Sequence, residues 1–151
     1  MNTSPAPRLL FLCTGNSCRS QMAEGWARHL FAQRFTVYSA GIEKHGLNPM
    51  AVRAMAEAGV DISTQTSRLI EELPFREFDL VITLCSHADR HCPSLPGTGR
   101  HLHHGFDDPS RLAAGIKDEA MAMAMEFYRK TCAEIREFVG QLPRLLAARP
   151  A

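Results

Sequence analysis

Cys13 and Arg19 stand six positions apart and enclose Thr14-Gly15-Asn16-Ser17-Cys18, with Ser20 following. A thiol and a guanidinium separated by small, turn-forming residues are the makings of an oxyanion trap with a nucleophile in its floor. The apolar run Leu9-Leu10-Phe11-Leu12 before them reads as a buried strand, and Met22, Trp26, His29 and Leu30 after them fall at helical spacing. The stretch from Cys13 to Ser20 therefore wraps a helix N-terminus, where backbone N–H groups and the helix dipole favour negative charge. Gly15, with no Cβ, can take a positive φ, so that successive N–H groups can converge on one point. Arg19 adds a planar fork for two oxygens of a tetrahedral dianion, and a thiol in such a field is held as the attacking thiolate. Ser20 either caps the helix or steadies the thiolate of Cys13 with its hydroxyl.

Such a trap needs a scaffold. Phe35-Thr36-Val37-Tyr38-Ser39 reads as a second strand ending at the break Ala40-Gly41. Asn48-Pro49 supplies an N-cap and a first-turn proline, Ala51, Ala54, Met55 and Ala58 line one helical face, and Gly59 stands where a helix-ending glycine belongs. Ser67 to Glu72 reads as a short helix before Pro74. Phe78 to Leu84 is a continuous apolar strand, and continuous rather than alternating apolarity implies burial on both faces. The expectation is an α/β fold with three αβα layers around a four-stranded parallel sheet. Ser86 to Pro109 turns polar and is expected to be the most mobile region, with an edge strand at His101-Leu102-His103-His104. A last helix is expected from about Lys117, with Asp118-Glu119 in its first turn and Pro143 ending or kinking it. Met121, Met123 and Met125 alternate by two and so scatter over different helix faces, which makes them packing and surface residues rather than a metal site.

With 151 residues the chain reads as a single catalytic domain over 1–151, with 1–7 as a flexible N-terminus. Seventeen Lys and Arg against sixteen Asp and Glu leave a net charge of +1, so no overall field recruits nucleic acid or an anionic membrane. No apolar segment approaches the ~20 residues of a membrane helix, and no export signal precedes Arg8. A cytoplasmic monomer is expected. The odd count of five cysteines argues against a secreted disulfide framework and for reactive thiols. Cys132, within the last helix, is expected in the core, and Cys18 is expected to be a packed loop residue.

Cys85 ends the third predicted strand, where a parallel sheet presents its ligand crevice, beside the loop that starts at Cys13. Cys92 follows just before Pro93. If the intervening segment is helical, seven residues at ~1.5 Å each separate the two Cα atoms by about 10 Å, beyond the roughly 7 Å limit for a disulfide. Oxidation of this pair would require the segment to unwind. Asp107-Asp108-Pro109 could supply a general acid, with Asp108 the stronger candidate, or merely a turn. His87, His91, His101, His103 and His104 lack the paired spacing of a zinc site, so no metal and no cofactor is expected. An oxyanion trap with a thiolate serves either hydrolysis of a phosphate ester or reduction of an oxyanion whose central atom accepts two electrons, and the further thiols favour the second.

Cys13 to Trp26, Ser39-Ala40-Gly41-Ile42-Glu43, His45-Gly46, Asn48-Pro49, Thr83-Leu84-Cys85-Ser86, Asp89, Cys92-Pro93 and Gly105-Phe106-Asp107-Asp108-Pro109 together resemble the thioredoxin-coupled arsenate reductases. Those enzymes share the fold of low-molecular-weight protein tyrosine phosphatases. The resemblance implies arsenic detoxification: arsenate is held by the loop from Cys13 to Ser20, Cys13 attacks it, and Asp108 assists departure of a hydroxyl. It further implies that Cys85 attacks Cys13, that arsenite leaves, that Cys92 resolves the disulfide and that thioredoxin reduces the Cys85–Cys92 product. A tyrosine phosphatase is the alternative. Relatives that hold potassium use positions matching Asn16, Glu24 and Ser39 plus an acidic residue after a Thr-Ser pair, whereas here Arg68 follows Thr66-Ser67. Arg68 is therefore expected to pair with Glu24 and potassium to be dispensable. His104 stands where the family often has tryptophan.

Overall fold

The structure is a computed structural model and describes residues 6–93, 99–117 and 120–147. Four strands, β1 (Arg8–Cys13), β2 (Thr36–Gly41), β3 (Leu80–Thr83) and β4 (Arg100–His103), form one parallel sheet in the order β2-β1-β3-β4. Leu9, Leu10, Phe11 and Leu12 are all completely buried. Successive strand residues point to opposite faces, so both faces of β1 are covered, which is the three-layer αβα arrangement expected.

The helices are α1 (Arg19–Leu30), α2 (Pro49–Glu57), α3 (Ser86–His91), α4 (Pro109–Leu112), α5 (Met121–Val139) and α6 (Leu142–Ala147). Asn48 caps α2 as its sequence predicts, its Oδ1 accepting from the N–H groups of Met50 and Ala51. Gly59 ends that helix at φ 92°. Helices α1, α2 and α5 pack together. Trp26 Nε1 on α1 donates to the Cys132 carbonyl on α5 at 3.1 Å, and Cys132 is buried in the core as expected.

Several boundaries differ from the sequence reading. Strand β2 runs on to Gly41, because Ala40 and Gly41 pair with Leu12 and Cys13. Only Ile70–Glu72 of the expected Ser67–Glu72 helix forms, as a single 3₁₀ turn. Helix α5 starts at Met121 rather than near Lys117; Asp118 and Glu119 lie outside the described residues. Residues 1–5 also lie outside them, while the Pro7 carbonyl accepts from Thr36 N at 2.9 Å. Within the polar stretch from Ser86 to Pro109, α3, β4 and the start of α4 are regular, and 94–98 lie outside the described residues. Met125 is fully buried while Met121 and Met123 are exposed, as alternation on a helix requires. Among the described residues no helix is long and apolar enough to cross a membrane.

Candidate active site

The loop after β1 is shaped from outside. The carbonyls of Cys13, Thr14, Gly15 and Ser17 accept from the N–H groups of Ile42, Glu43, His45 and Asn48, at 2.7 to 3.3 Å. With its carbonyls drawn toward the segment 42–48, the loop keeps its amides free: the N–H groups of Gly15, Asn16, Ser17 and Cys18 have no protein acceptor among the described residues. Unpaired amides at a helix N-terminus are an anion site. They open on a cleft of about 170 Å³ lined by Cys13, Thr14, Gly15, Ser17, Cys18, Arg19, His45, Asp108 and Ser110.

Positive φ falls on Asn16 (46°), and the freedom open to Gly15 is not used. Asn is the side chain that best tolerates this region, and here its amide is fully engaged. Asn16 Oδ1 accepts from Arg68 N at 2.7 Å, while Nδ2 donates to Ser20 Oγ at 2.8 Å and Ser39 Oγ at 2.9 Å. Gly15 is needed for a different reason, since a Cβ there would strike the ring of His45.

Ser20 Oγ lies 2.8 Å from Cys13 Sγ, with both residues buried. Cys18 is the N-cap of α1 and makes no side-chain cap bond, so of the two roles open to Ser20 the structure assigns the contact with the thiol. Burial, and next the neighbouring Cys13, push the Cys18 thiol well above its ordinary range, which leaves it neutral and unreactive. Arg19 is almost buried; its Nη1 donates to the Phe106 carbonyl at 3.1 Å and its Nη2 lies 3.5 Å from Asp108 Oδ2. Asp108 is also the N-cap of α4, with Oδ1 accepting from Ser110 N at 3.0 Å. Asp107 is exposed and takes no part in these bonds.

Cys85, buried at the end of β3, has its Sγ 3.3 Å from Thr14 Oγ1. Thr14 adjoins the nucleophile, so a second thiol stands at the edge of the trap. A larger groove of about 670 Å³ continues outward from Thr14, Arg19 and Asp108 past Cys85, His87, Arg90 and Arg111. Cys13, Arg19, Cys85 and Asp108 are thus brought together. Cys92 is not: it caps the far end of α3, half-buried, and lines neither cleft. Burial and then the Asp89 carboxylate push its thiol up.

Arg68 does not pair with Glu24. Its side chain donates to Thr66 Oγ1, and the guanidinium on Glu24 is that of Arg28, one helical turn along α1, at 3.1 Å. A residue at i+4 on the same helix reaches Glu24 with no reorganisation, which Arg68 on a separate segment cannot match. Glu24 Oε1 also accepts from Ser39 Oγ at 2.7 Å. A potassium ion does not fit these residues, because Asn16 Oδ1 already has its N–H partners and Glu24 already has a cation. Among the described residues no group of three or more His, Cys, Asp or Glu side chains is gathered that could hold a metal ion. His104 keeps an aromatic plate where tryptophan often stands in the family, its ring 4.3 Å from that of Phe138 and 4.8 Å from that of Phe106. The contacts of Thr14 with Cys85 and of Arg19 with a backbone carbonyl carry no sequence signal, since neither depends on a residue pattern.

The model of the family described as low molecular weight phosphotyrosine protein phosphatase matches residues 8–149. An arsenate reductase 2 of Staphylococcus saprophyticus is 49% identical over 124 residues, 80% of this chain and 95% of that protein. The chain belongs to this phosphatase family, among its arsenate reductases. A solved arsenate reductase in its oxidized state superposes on 93% of the chain and 99% of its own length, with a TM-score of 0.76 and 31% identity. A thioredoxin-dependent arsenate reductase from Corynebacterium glutamicum matches 96% of the chain and 64% of its own length, with a TM-score of 0.70 and 25% identity.

Proposed function

We propose that the protein reduces arsenate to arsenite through Cys13, Cys85 and Cys92, with thioredoxin as the reductant. The contact between Thr14 Oγ1 and Cys85 Sγ carries the reading, because hydrolysis alone has no use for a second thiol at the trap. Cys13 thiolate attacks arsenic held by the amides of Gly15 to Cys18 and by the fork of Arg19. One oxygen leaves as water, with Asp108 providing the proton. Cys85 thiolate then attacks Cys13 Sγ. The sulfur–arsenic bonding pair passes to arsenic, arsenite departs, and a Cys13–Cys85 disulfide remains. Cys92 converts it to Cys85–Cys92 and returns Cys13 as thiolate, and thioredoxin returns both other cysteines to thiols.

A relay of free thiols suits the reducing cytoplasm, where the protein is proposed to act as a monomer. Phosphate shares the shape of arsenate, but phosphorus does not accept the electron pair. Cys13, Arg19 and Asp108 are nonetheless the set a phosphatase of this family requires, so slow hydrolysis of an aryl phosphate is the second reading. Arsenate-dependent NADPH oxidation, coupled through thioredoxin and its reductase, tests the first reading, and release of phenol from an aryl phosphate tests the second. Cys85→Ser is expected to abolish arsenite production while retaining aryl phosphate hydrolysis. Full arsenate turnover by that variant would refute the relay.

A further inference from the structure

Asp89 is the residue of α3 that the strands behind it hold. The Thr83 hydroxyl, at the end of β3, donates to Asp89 Oδ1 at 2.9 Å, and His101 Nε2 on β4 lies 3.1 Å from the same oxygen. A threonine hydroxyl has a single proton, here given to Asp89, so His103 Nδ1, 2.9 Å from Thr83 Oγ1, is the donor in that contact. One carboxylate on a six-residue helix is thereby tied to two strands.

The other end of α3 is tied by the chemistry itself. Cys85 Sγ accepts from Ala88 N at 3.4 Å and so caps the helix. When Cys85 Sγ turns to bond Cys13 Sγ, that cap is lost. A helix this short does not persist without tertiary support, and with the cap gone that support comes from the buried Ala88 and the Asp89 tie. While it stays folded, Cys92 is held at the far end of α3 from Cys85. Burial, and next the Asp89 carboxylate, also push its thiol up.

We propose that Thr83, His101 and His103 position Asp89 so that α3 stays folded, and that release of this tie sets the pace at which Cys92 attacks the Cys13–Cys85 disulfide. The inference rests on the relay proposed above. In this step Cys92 gives its proton to solvent and its thiolate attacks Cys85 Sγ. The Cys85–Cys92 bond forms, the bond to Cys13 breaks, and its electron pair leaves with Cys13 as thiolate, with no external oxidant.

Single-turnover mixing of reduced protein with arsenate, without thioredoxin, separates the steps. Arsenite release reports the first disulfide, and quenched alkylation with peptide mass analysis reports closure of Cys85–Cys92. His101→Ala loosens the tie and leaves the charge of Asp89, His101→Gln keeps a side-chain N–H donor, and Asp89→Asn removes the charge as well. His101 and Asp89 are 44% and 39% exposed, so these variants are expected to fold, which circular dichroism checks. The arsenite burst is expected to stay within about twofold of wild type in all three, while closure quickens about fivefold to tenfold in His101→Ala, more in Asp89→Asn, and returns toward wild type in His101→Gln. Amide exchange over Ser86 to His91 in the reduced protein should quicken in the same order. Closure that is unchanged or slower in His101→Ala, with the burst intact, would overturn the inference. A wild-type protein that yields no arsenite would instead overturn the relay.

Discussion

Arg28→Met probes the charge balance beneath the trap. The substitution keeps much of the aliphatic stem of Arg28 and removes the guanidinium that lies 3.1 Å from Glu24 Oε2 and donates to the Val37 carbonyl at 2.8 Å. The Glu24 side chain is only 6% exposed, and without Arg28 its remaining partner is the Ser39 hydroxyl. Breaking a fully buried ion pair costs about 3–5 kcal/mol, because a charge is left without compensation. The Arg28 side chain is 55% exposed, however, so water reaches the gap and the expected loss is about 1–2 kcal/mol. For a domain of this size that lowers the melting temperature by about 2–8 °C. The effect should also reach the thiol, because Ser39 bonds Asn16 and Asn16 bonds Ser20, the partner of Cys13. We expect kcat/KM for arsenate to fall about tenfold, the equivalent of roughly 1.4 kcal/mol. Calorimetry and the coupled NADPH assay, each run in potassium and sodium chloride at equal ionic strength, check both effects. The wild-type protein should not distinguish the two salts. Strong activation of wild type by potassium over sodium, or a variant that melts with wild type, would show that Arg28 does not neutralise Glu24.

Gly41→Ala would place a Cβ 2.7 Å from Asn16 N and 2.9 Å from the Gly15 carbonyl carbon. These are backbone atoms, which cannot swing aside, so urea unfolding should show a loss of at least about 1–3 kcal/mol and arsenate turnover should drop more than about tenfold. The neutral Cys18 thiol predicts an alkaline limit. Its raised value means that the unfolded chain gives up this proton first, near the ordinary 9.0, so as pH climbs above about 9 the folded state binds more protons than the unfolded one and stability falls. Cys18→Ala should flatten that alkaline decline in a series of urea midpoints between pH 8 and about 10, and an equal decline in both proteins would count against the assignment.

The αβα fold was readable because its signals are local. The apolar run before Cys13 read as a buried strand, the continuous apolarity from Phe78 to Leu84 read as burial on both faces, and Asn48-Pro49 with Gly59 bracketed α2 through capping chemistry that works within a few residues. The gathering of Cys13, Arg19 and Cys85 followed from the register of neighbouring parallel strands, which brings the ends of β1 and β3 side by side. What escaped was set by distant geometry. Gly15 invited a positive φ, yet the strain passed to Asn16 because the Asn16 amide is anchored by Arg68, Ser20 and Ser39 together. Arg68 looked like the partner of Glu24 through family position, whereas the i+4 residue Arg28 was nearer in every sense. The role of Ser20 stayed open in the sequence for the same reason: it lies just inside α1, and only the fold shows that its hydroxyl faces the thiol and does not cap the helix.

The four bonds from Ile42, Glu43, His45 and Asn48 to the loop carbonyls make the trap a joint product of two stretches about thirty residues apart in the chain. An isolated peptide carrying Cys13 to Ser20 would therefore not hold an oxyanion, whatever its sequence. During folding the nucleophile can become competent only after β2 has docked beside β1 and the stretch beyond it has zipped onto the loop, which places this centre among the late long-range contacts rather than the early local ones. Backbone changes between Ile42 and Asn48 should consequently behave as lesions of the reaction centre, although none of the four bonds they would disturb involves a side chain of that segment.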